Sequence, residues 1–288
     1  MRQIALNALS LTTLGLLSGL SPTLLAQDAA PTTTPTVVQQ GEYLARAGDC
    51  TSCHTAQNGQ PYAGGFRLDT PFGYLLAPNI TPDKQTGIGN WSADDFYRAL
   101  HDGVNKKGQY LFPAMPYTSY TKVTRADSDA LYAYLMSLPP VSNTVDVNHL
   151  KFPFNLRLSM LGWNELYFSK GTYQPDPKQT ESWNRGAYLV EGLGHCSECH
   201  SPRNVLGGIE QKRAFTGADI DGWFALNLTD NLKTGLGQWS VADIATYLKT
   251  GADKSKSTTL GPMAEVVHNS LGFMTEDDLL AMAEYLKT

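Results

Sequence analysis

The sequence predicts an all-α protein built from two tandem copies of one domain. Three observations carry that prediction. The first is an internal repeat: Gly41-Glu42-Tyr43-Leu44 is answered by Gly186-Ala187-Tyr188-Leu189, Asn79-Ile80-Thr81 by Asn227-Leu228-Thr229, and Thr86 to Ser92 by Thr234 to Ser240. The offset is 146 residues at Cys50/Cys196 and 148 at Trp91/Trp239, so small shifts of register align the halves. The second is a set of matched helix starts followed by apolar residues at helical spacing, with no convincing strand alternation. The third is that each copy contains one five-residue stretch of the same kind, Cys50-Thr51-Ser52-Cys53-His54 and Cys196-Ser197-Glu198-Cys199-His200, and together they hold all four cysteines of the chain.

In chain order, Arg2 precedes an uncharged apolar run from Ile4 to Leu25, and the small Ala26 suits a cleavage point. Residues 1–26 therefore read as a secretory signal. A retained membrane anchor is the alternative, and Asn7, Ser18, Ser21 and Pro22 interrupt the run it would need. Residues 27–40, rich in Thr, Pro and Ala, read as a disordered leader. The first copy spans 41–140 and the second 181–288. The first helix of each runs from about Gly41 or Arg185 into the cysteine motif. The second starts on Ser92 or Ser240, each an N-cap oxygen with an acid three residues on, Asp95 or Asp243, that suits the positive helix end. It stops near Gly103 or Gly251. The last starts on Thr124 or Thr275, again with an acid three on, and Pro139-Pro140 closes the first copy. Residues 141–180 form a connector with Phe152, Phe154, Leu156, Leu158, Met160, Leu161, Trp163 and Leu166, too apolar for a free linker. Its plainer reading is packing against the two copies; its sharper reading is a docking patch for a partner subunit or a membrane surface.

The 288 residues suit two domains of about 100 residues each plus connections. The formal charge of −5 and the lack of a basic tract exclude a nucleic-acid partner. C-x-x-C-H is the attachment signature of a c-type haem. Two thiols at that spacing can form thioethers with the two vinyl groups of one porphyrin, and the adjoining imidazole then supplies a nitrogen to the iron. A redox dithiol, half of a zinc site, or two disulfides would use the cysteines but not explain why a histidine follows both times. Two covalently bound haem c groups are therefore expected. Such a domain is short of apolar core, and the porphyrin would supply the rest.

Haem iron with a proximal His can keep its other axial position open or fill it with Met, His or Cys. No cysteine is spare. Met115 follows Pro113 closely, Met263 follows Pro262, and their separation of 148 residues equals that of the tryptophan pair. A lone Met is more often core filler, but two at equivalent places in two haem repeats point to ligation: His54 and Met115 on one iron, His200 and Met263 on the other. Met274, just before the cap Thr275, reads as a hydrophobic staple instead. His101, His149, His195 and His268 read as surface or supporting residues. Trp91 and Trp239 carry two equal readings, donors to haem propionates or plain packing.

Gly41 to Cys50, Asn79-Ile80-Thr81-Pro82-Asp83, Pro113-Ala114-Met115-Pro116-Tyr117, Trp183 to Val190 and Gly261 to Glu265 together resemble the cytochrome c subunits of bacterial periplasmic, membrane-associated dehydrogenases, such as those for alcohols, aldehydes and gluconate. The resemblance covers about residues 41–288 and implies two class-I-like cytochrome c domains, each wrapped around a covalent haem. It further implies a periplasmic electron carrier, with no catalytic residue of its own, that takes electrons from a catalytic dehydrogenase subunit and passes them to a downstream acceptor of the respiratory chain. Peripheral association with the inner membrane belongs to the same expectation. Many such subunits carry three haems, and this sequence ends after two motifs. The rival class is a dihaem enzyme, a peroxidase or a thiosulfate-oxidising cytochrome; the first needs an open iron and the second a cysteine ligand.

Overall fold

The computed structural model describes residues 35–252 and 258–288. The signal and most of the leader, through residue 34, lie outside them. Helix α1 (Val37–Ala47) starts four residues before the expected Gly41, because Thr36 caps it: its hydroxyl accepts from the Gln39 amide while the Gln39 side chain accepts from the Thr36 amide. Helix α2 (Cys50–Cys53) is the single turn that holds the first cysteine pair. Two strands follow, β1 (Arg67–Thr70) and β2 (Gly73–Leu76), then α3 (Ala93–Asp102), the short α4 (Tyr117–Tyr120) and α5 (Arg125–Ser137). The connector supplies β3 (Asn148–Leu150) and α6 (Ser159–Tyr167). The second half repeats the order with α7 (Glu181–Tyr188), α8 (Ser197–His200), β4 (Ala218–Ile220), β5 (Trp223–Ala225), α9 (Val241–Thr250), α10 (Gly261–Asn269) and α11 (Glu276–Leu286). None of the helices among the described residues is long and apolar enough to cross a membrane.

The expected caps are present. Ser92 and Ser240 form reciprocal capping boxes with Asp95 and Asp243, and Thr124 and Thr275 accept from the amides of Asp127 and Asp278. Gly103 and Gly251 end α3 and α9 in the left-handed region, at φ 64° and 70°.

The purely α-helical expectation is corrected: the fold is helical with short strands. β1, β2 and β3 form an antiparallel sheet in that order, and β4 pairs with β5. Strands of three or four residues are too short for a period-two pattern to show. The turn between β4 and β5 did carry a signal, since Asp221-Gly222, with φ 49° and 77°, is an Asp-Gly pair of the kind that closes tight hairpins.

Two apolar cores organise the chain. Leu44, Ala45, Phe96, Leu100, Leu131 and Leu135 belong to the first. Leu189, Val190, Ile244, Leu248, Leu279 and Met282 belong to the second. The connector is divided. Met160 is buried with Leu75 and Phe112, β3 pairs with β2, and the Trp163 indole donates to the carbonyl of Leu206. Phe152, Leu158 and Leu166 stay largely exposed.

A one-residue difference between the halves has a visible structural outcome. The repeat offset grows from 145 at Tyr43/Tyr188 to 146 at Cys50/Cys196, so the second half holds one extra residue there. The chain accommodates it as a π-helical turn over Leu189–Leu193, with the Gly194 amide donating to the Leu189 carbonyl.

In each core a glycine lets two helices touch. A Cβ on Gly41 would lie 1.9 Å from the Ala130 carbonyl oxygen of α5, and one on Gly186 would lie 1.9 Å from that of Ala281 in α11. Neither helix can yield without unpacking its own core. Gly41→Ala should therefore lower the unfolding free energy of the holoprotein by about 1–3 kcal/mol, the usual cost of overpacking, measured by urea denaturation. Gly162→Ala, where nothing lies within 4 Å of the added carbon, should leave it nearly unchanged.

Candidate functional site

Each C-x-x-C-H stretch forms one helical turn, which brings its two cysteines to one face. The residue before each first cysteine is left-handed, Asp49 at φ 48° and His195 at φ 37°. Both motifs thus leave the preceding helix through the same kink. The four thiols are free of disulfides. Burial pushes Cys50 and Cys196 up to about 12 and Cys53 up to about 11. Cys50 and Cys196 are neutral thiols packed on the two apolar cores, the opposite of an activated redox thiolate. Among the described residues, no three His, Cys, Asp or Glu side chains converge as a zinc cage requires.

The histidines are held in the same way. His54 Nδ1 donates to the carbonyl of Pro78 at 2.8 Å, and His200 Nδ1 to that of Leu226 at 2.7 Å. Burial lowers both imidazoles, against a smaller upward pull from these carbonyls, so both are neutral at pH 7. A neutral imidazole that donates through Nδ1 presents its Nε2 lone pair, the arrangement of a metal-ligating histidine. The donor set, paired thiols on one turn beside an oriented imidazole nitrogen, fits a covalently attached porphyrin.

In the sequence, Asn79-Ile80-Thr81 and its partner mark the duplication, and the first of them carries part of the resemblance, but neither has an assigned task. The structure gives them a task. Asn79 is buried; its Oδ1 accepts from the Thr81 amide and hydroxyl, and its Nδ2 donates to Thr86 and to the Val141 carbonyl. Asn227 repeats the arrangement with Thr229 and Thr234. Each asparagine directly follows the residue whose carbonyl receives the histidine, so this local network fixes the acceptor. The loops are pinned once more where Gly64 and Gly217 donate to the carbonyls of His54 and His200. Tyr62 and Phe215 sit at equivalent points with φ 62° and 60°, strained values for aromatic residues. The signal for these positions was the repeat itself.

Met115 lies in the turn before α4, half-buried against the first core. Met263 is half-buried against the second core. It sits in the first turn of α10, with Pro262 beside it, rather than in the loop that the sequence suggested. Proline is well tolerated at a helix start, so the residue read as a loop stiffener opens a helix instead. Met274 is 2 % exposed within the second core and its carbonyl accepts from Lys249. The other histidines have separate surroundings. His101 pairs with Asp102 and stacks on Tyr97; His149 stacks on Tyr74; His195 meets the edge of Tyr120; His268 lies in α10. Trp91 packs on the first core and its carbonyl accepts from Tyr132, while Trp239 packs on the second.

A protein with this fold and donor set is of the covalent-haem class, and comparison with known proteins agrees. Residues 38–139 match the cytochrome c family. The chain is 38 % identical over 259 residues to a diheme cytochrome c-type protein of Cereibacter sphaeroides, covering 86 % of this chain and 84 % of that one. It is 41 % identical over 282 residues to the gluconate 2-dehydrogenase cytochrome c subunit of Pantoea cypripedii, covering 94 % of this chain and 63 % of that one. It is 44 % identical over 269 residues to a nicotinate dehydrogenase subunit of Pseudomonas putida, covering 91 % of this chain and 22 % of that one. The chain belongs to the cytochrome c family, and it spans less than two thirds of the length of these last two relatives.

The positions of the two methionines set a direct comparison. Met263→Leu should abolish one of two methionine-to-iron charge-transfer bands in the oxidised protein. Met274→Leu should leave the spectrum alone and cost less than about 1.5 kcal/mol in stability, as volume-conserving core changes do. Absorption spectra and denaturation of both variants check this.

Proposed function

We propose that this protein is an exported dihaem electron carrier of the periplasm. It would accept electrons from the catalytic subunit of a dehydrogenase and pass them to a respiratory acceptor. The observation that carries the reading is the duplicated unit of C-x-x-C-H, oriented imidazole and asparagine-fixed carbonyl. The names of the gluconate, fructose and alcohol dehydrogenase cytochrome subunits among its relatives support the upstream partner. Residues 1–26 are proposed as the export signal, and the helical units around the two cores as two tandem cytochrome c domains.

In this reading Cys50 and Cys53 would hold one haem c and Cys196 and Cys199 the other; His54 and Met115 would ligate one iron, and His200 and Met263 the other. Haem iron supplies a one-electron couple when bound. The chain does the rest. The Pro78 and Leu226 carbonyls hold the imidazole rings in one orientation and one tautomer. The sulfurs of Met115 and Met263, in place of a second imidazole, would favour a higher potential. With methionine candidates for both centres and every cysteine in an attachment motif, neither a peroxidase nor a thiosulfate-oxidising site is favoured.

Mass spectrometry of the mature protein should find two porphyrins that survive acid-acetone extraction. The purified protein should turn over no dehydrogenase substrate alone and be reduced only when a catalytic subunit is added. The reduced protein should bind carbon monoxide at neither centre at modest concentration. Stoichiometric carbon monoxide binding to one centre would favour the enzyme class instead.

A further inference from the structure

The two halves touch through contacts that are exchanged reciprocally. Tyr43 of the first half donates to Asp278 of the second at 2.5 Å, and Tyr188, its repeat counterpart, donates to Asp127 of the first, also at 2.5 Å. The same two phenol oxygens accept from the cap amides of the opposite helix, Thr275 at 3.3 Å and Thr124 at 3.2 Å. Three residues before each first cysteine, Ala47 packs into the second core and Leu193 into the first. Between the cysteines, Ser52 accepts from Asn269 at 2.9 Å, in the helix whose first turn carries Met263. Glu198, its counterpart, accepts from Thr118 at 2.9 Å and Ser119 at 3.3 Å, in the helix that follows Met115. Each attachment turn thus abuts the segment that carries or follows the candidate methionine of the other half.

This is the geometry of an isologous dimer written into one chain: contact i to j is matched by j to i. The contacts are well built. At Asp278, burial would raise the carboxyl, but hydrogen bonds from Arg185 and Tyr43 outweigh it and hold the group below its ordinary range. Aspartates at the third position of α5 and α11 suit the helix dipole anyway. That role does not require a tyrosine from the opposite half on both of them.

We propose that Tyr43, Tyr188, Asp127 and Asp278 are positioning residues for electron exchange within the chain: their reciprocal bonds hold the two attachment turns in one register, so that the two haems act as a coupled pair rather than as independent carriers. The inference rests on the two-haem reading above, so the haem count is taken first. A count of one overturns that reading and this inference together.

With two haems present, electron paramagnetic resonance of the full-length holoprotein decides. The fully oxidised protein should show ferric signals broadened by their neighbour, and half-reduction should remove the broadening. The double variant Y43F/Y188F keeps both rings in their packing and removes both hydroxyls. It should keep two haems and an unchanged absorption spectrum while losing much of the broadening; each single variant should lose less. An oxidised wild-type spectrum that is the plain sum of two independent signals overturns the inference and leaves the two-haem reading standing. So does a double variant with unchanged broadening. Should that variant fail to incorporate haem, the comparison of oxidised and half-reduced wild type still decides between coupled and independent haems.

Discussion

The hydrogen bond from each motif histidine to a backbone carbonyl is the constraint on which the rest of the site depends. In net free energy such a bond is small, about 0.5–1.5 kcal/mol. Its consequence is geometric. With Nδ1 committed to Pro78 or Leu226, the ring cannot rotate without breaking that bond, and the ring nitrogen left over points in one direction. The carbonyl must then stay where it is, which explains the buried Asn79 and its counterpart Asn227, each tying down its own loop just beyond the acceptor. The histidine's own carbonyl is fastened as well, by Gly64 or Gly217. The result is a stiff double loop in which few residues are helical, set on a helical frame.

The frame is the crossing of the first and last helix in each half. Gly41 against Ala130 and Gly186 against Ala281 permit backbones to meet where any side chain would collide. The attachment turn follows α1 directly in the first half and α7 with its π turn in the second, so the crossing fixes where each cysteine motif starts. The extra residue of the second half is absorbed within the helical run, and the register at Cys196 is preserved. Between the halves, the exchanged tyrosine–aspartate bonds use the caps of the last helices, the same residues that start those helices. Sequence signals for a helix start and for an interface coincide there.

Much of this is legible in the sequence. Caps such as Ser92, Thr124, Ser240 and Thr275 are local signals, set by one hydroxyl and one amide three residues on, and the helices start where those signals place them. The repeat locates the paired motifs and the paired methionines. What is not legible is of two kinds. Some signals are local but easily passed over: Thr36 with Gln39 is a capping pair that starts α1 at Val37, and Asp221-Gly222 is a hairpin turn. Others are not local. β3 exists because the connector folds back on β2, and the exposure of Phe152 beside the burial of Met160 depends on which face of the connector meets Leu75 and Phe112. The meaning of Asn79 also requires the fold, because its histidine is 25 residues away in sequence.

The central claim is that both motif histidines donate through Nδ1 and offer Nε2 to a metal. Nitrogen-15 NMR of histidine-labelled holoprotein in its reduced and oxidised forms tests this most directly. His54 and His200 should each show a protonated Nδ1 protected from solvent exchange, and an Nε2 signal displaced by the iron in the oxidised form. Two histidines with Nε2 protonated, or with Nδ1 exchanging freely with water, would contradict it.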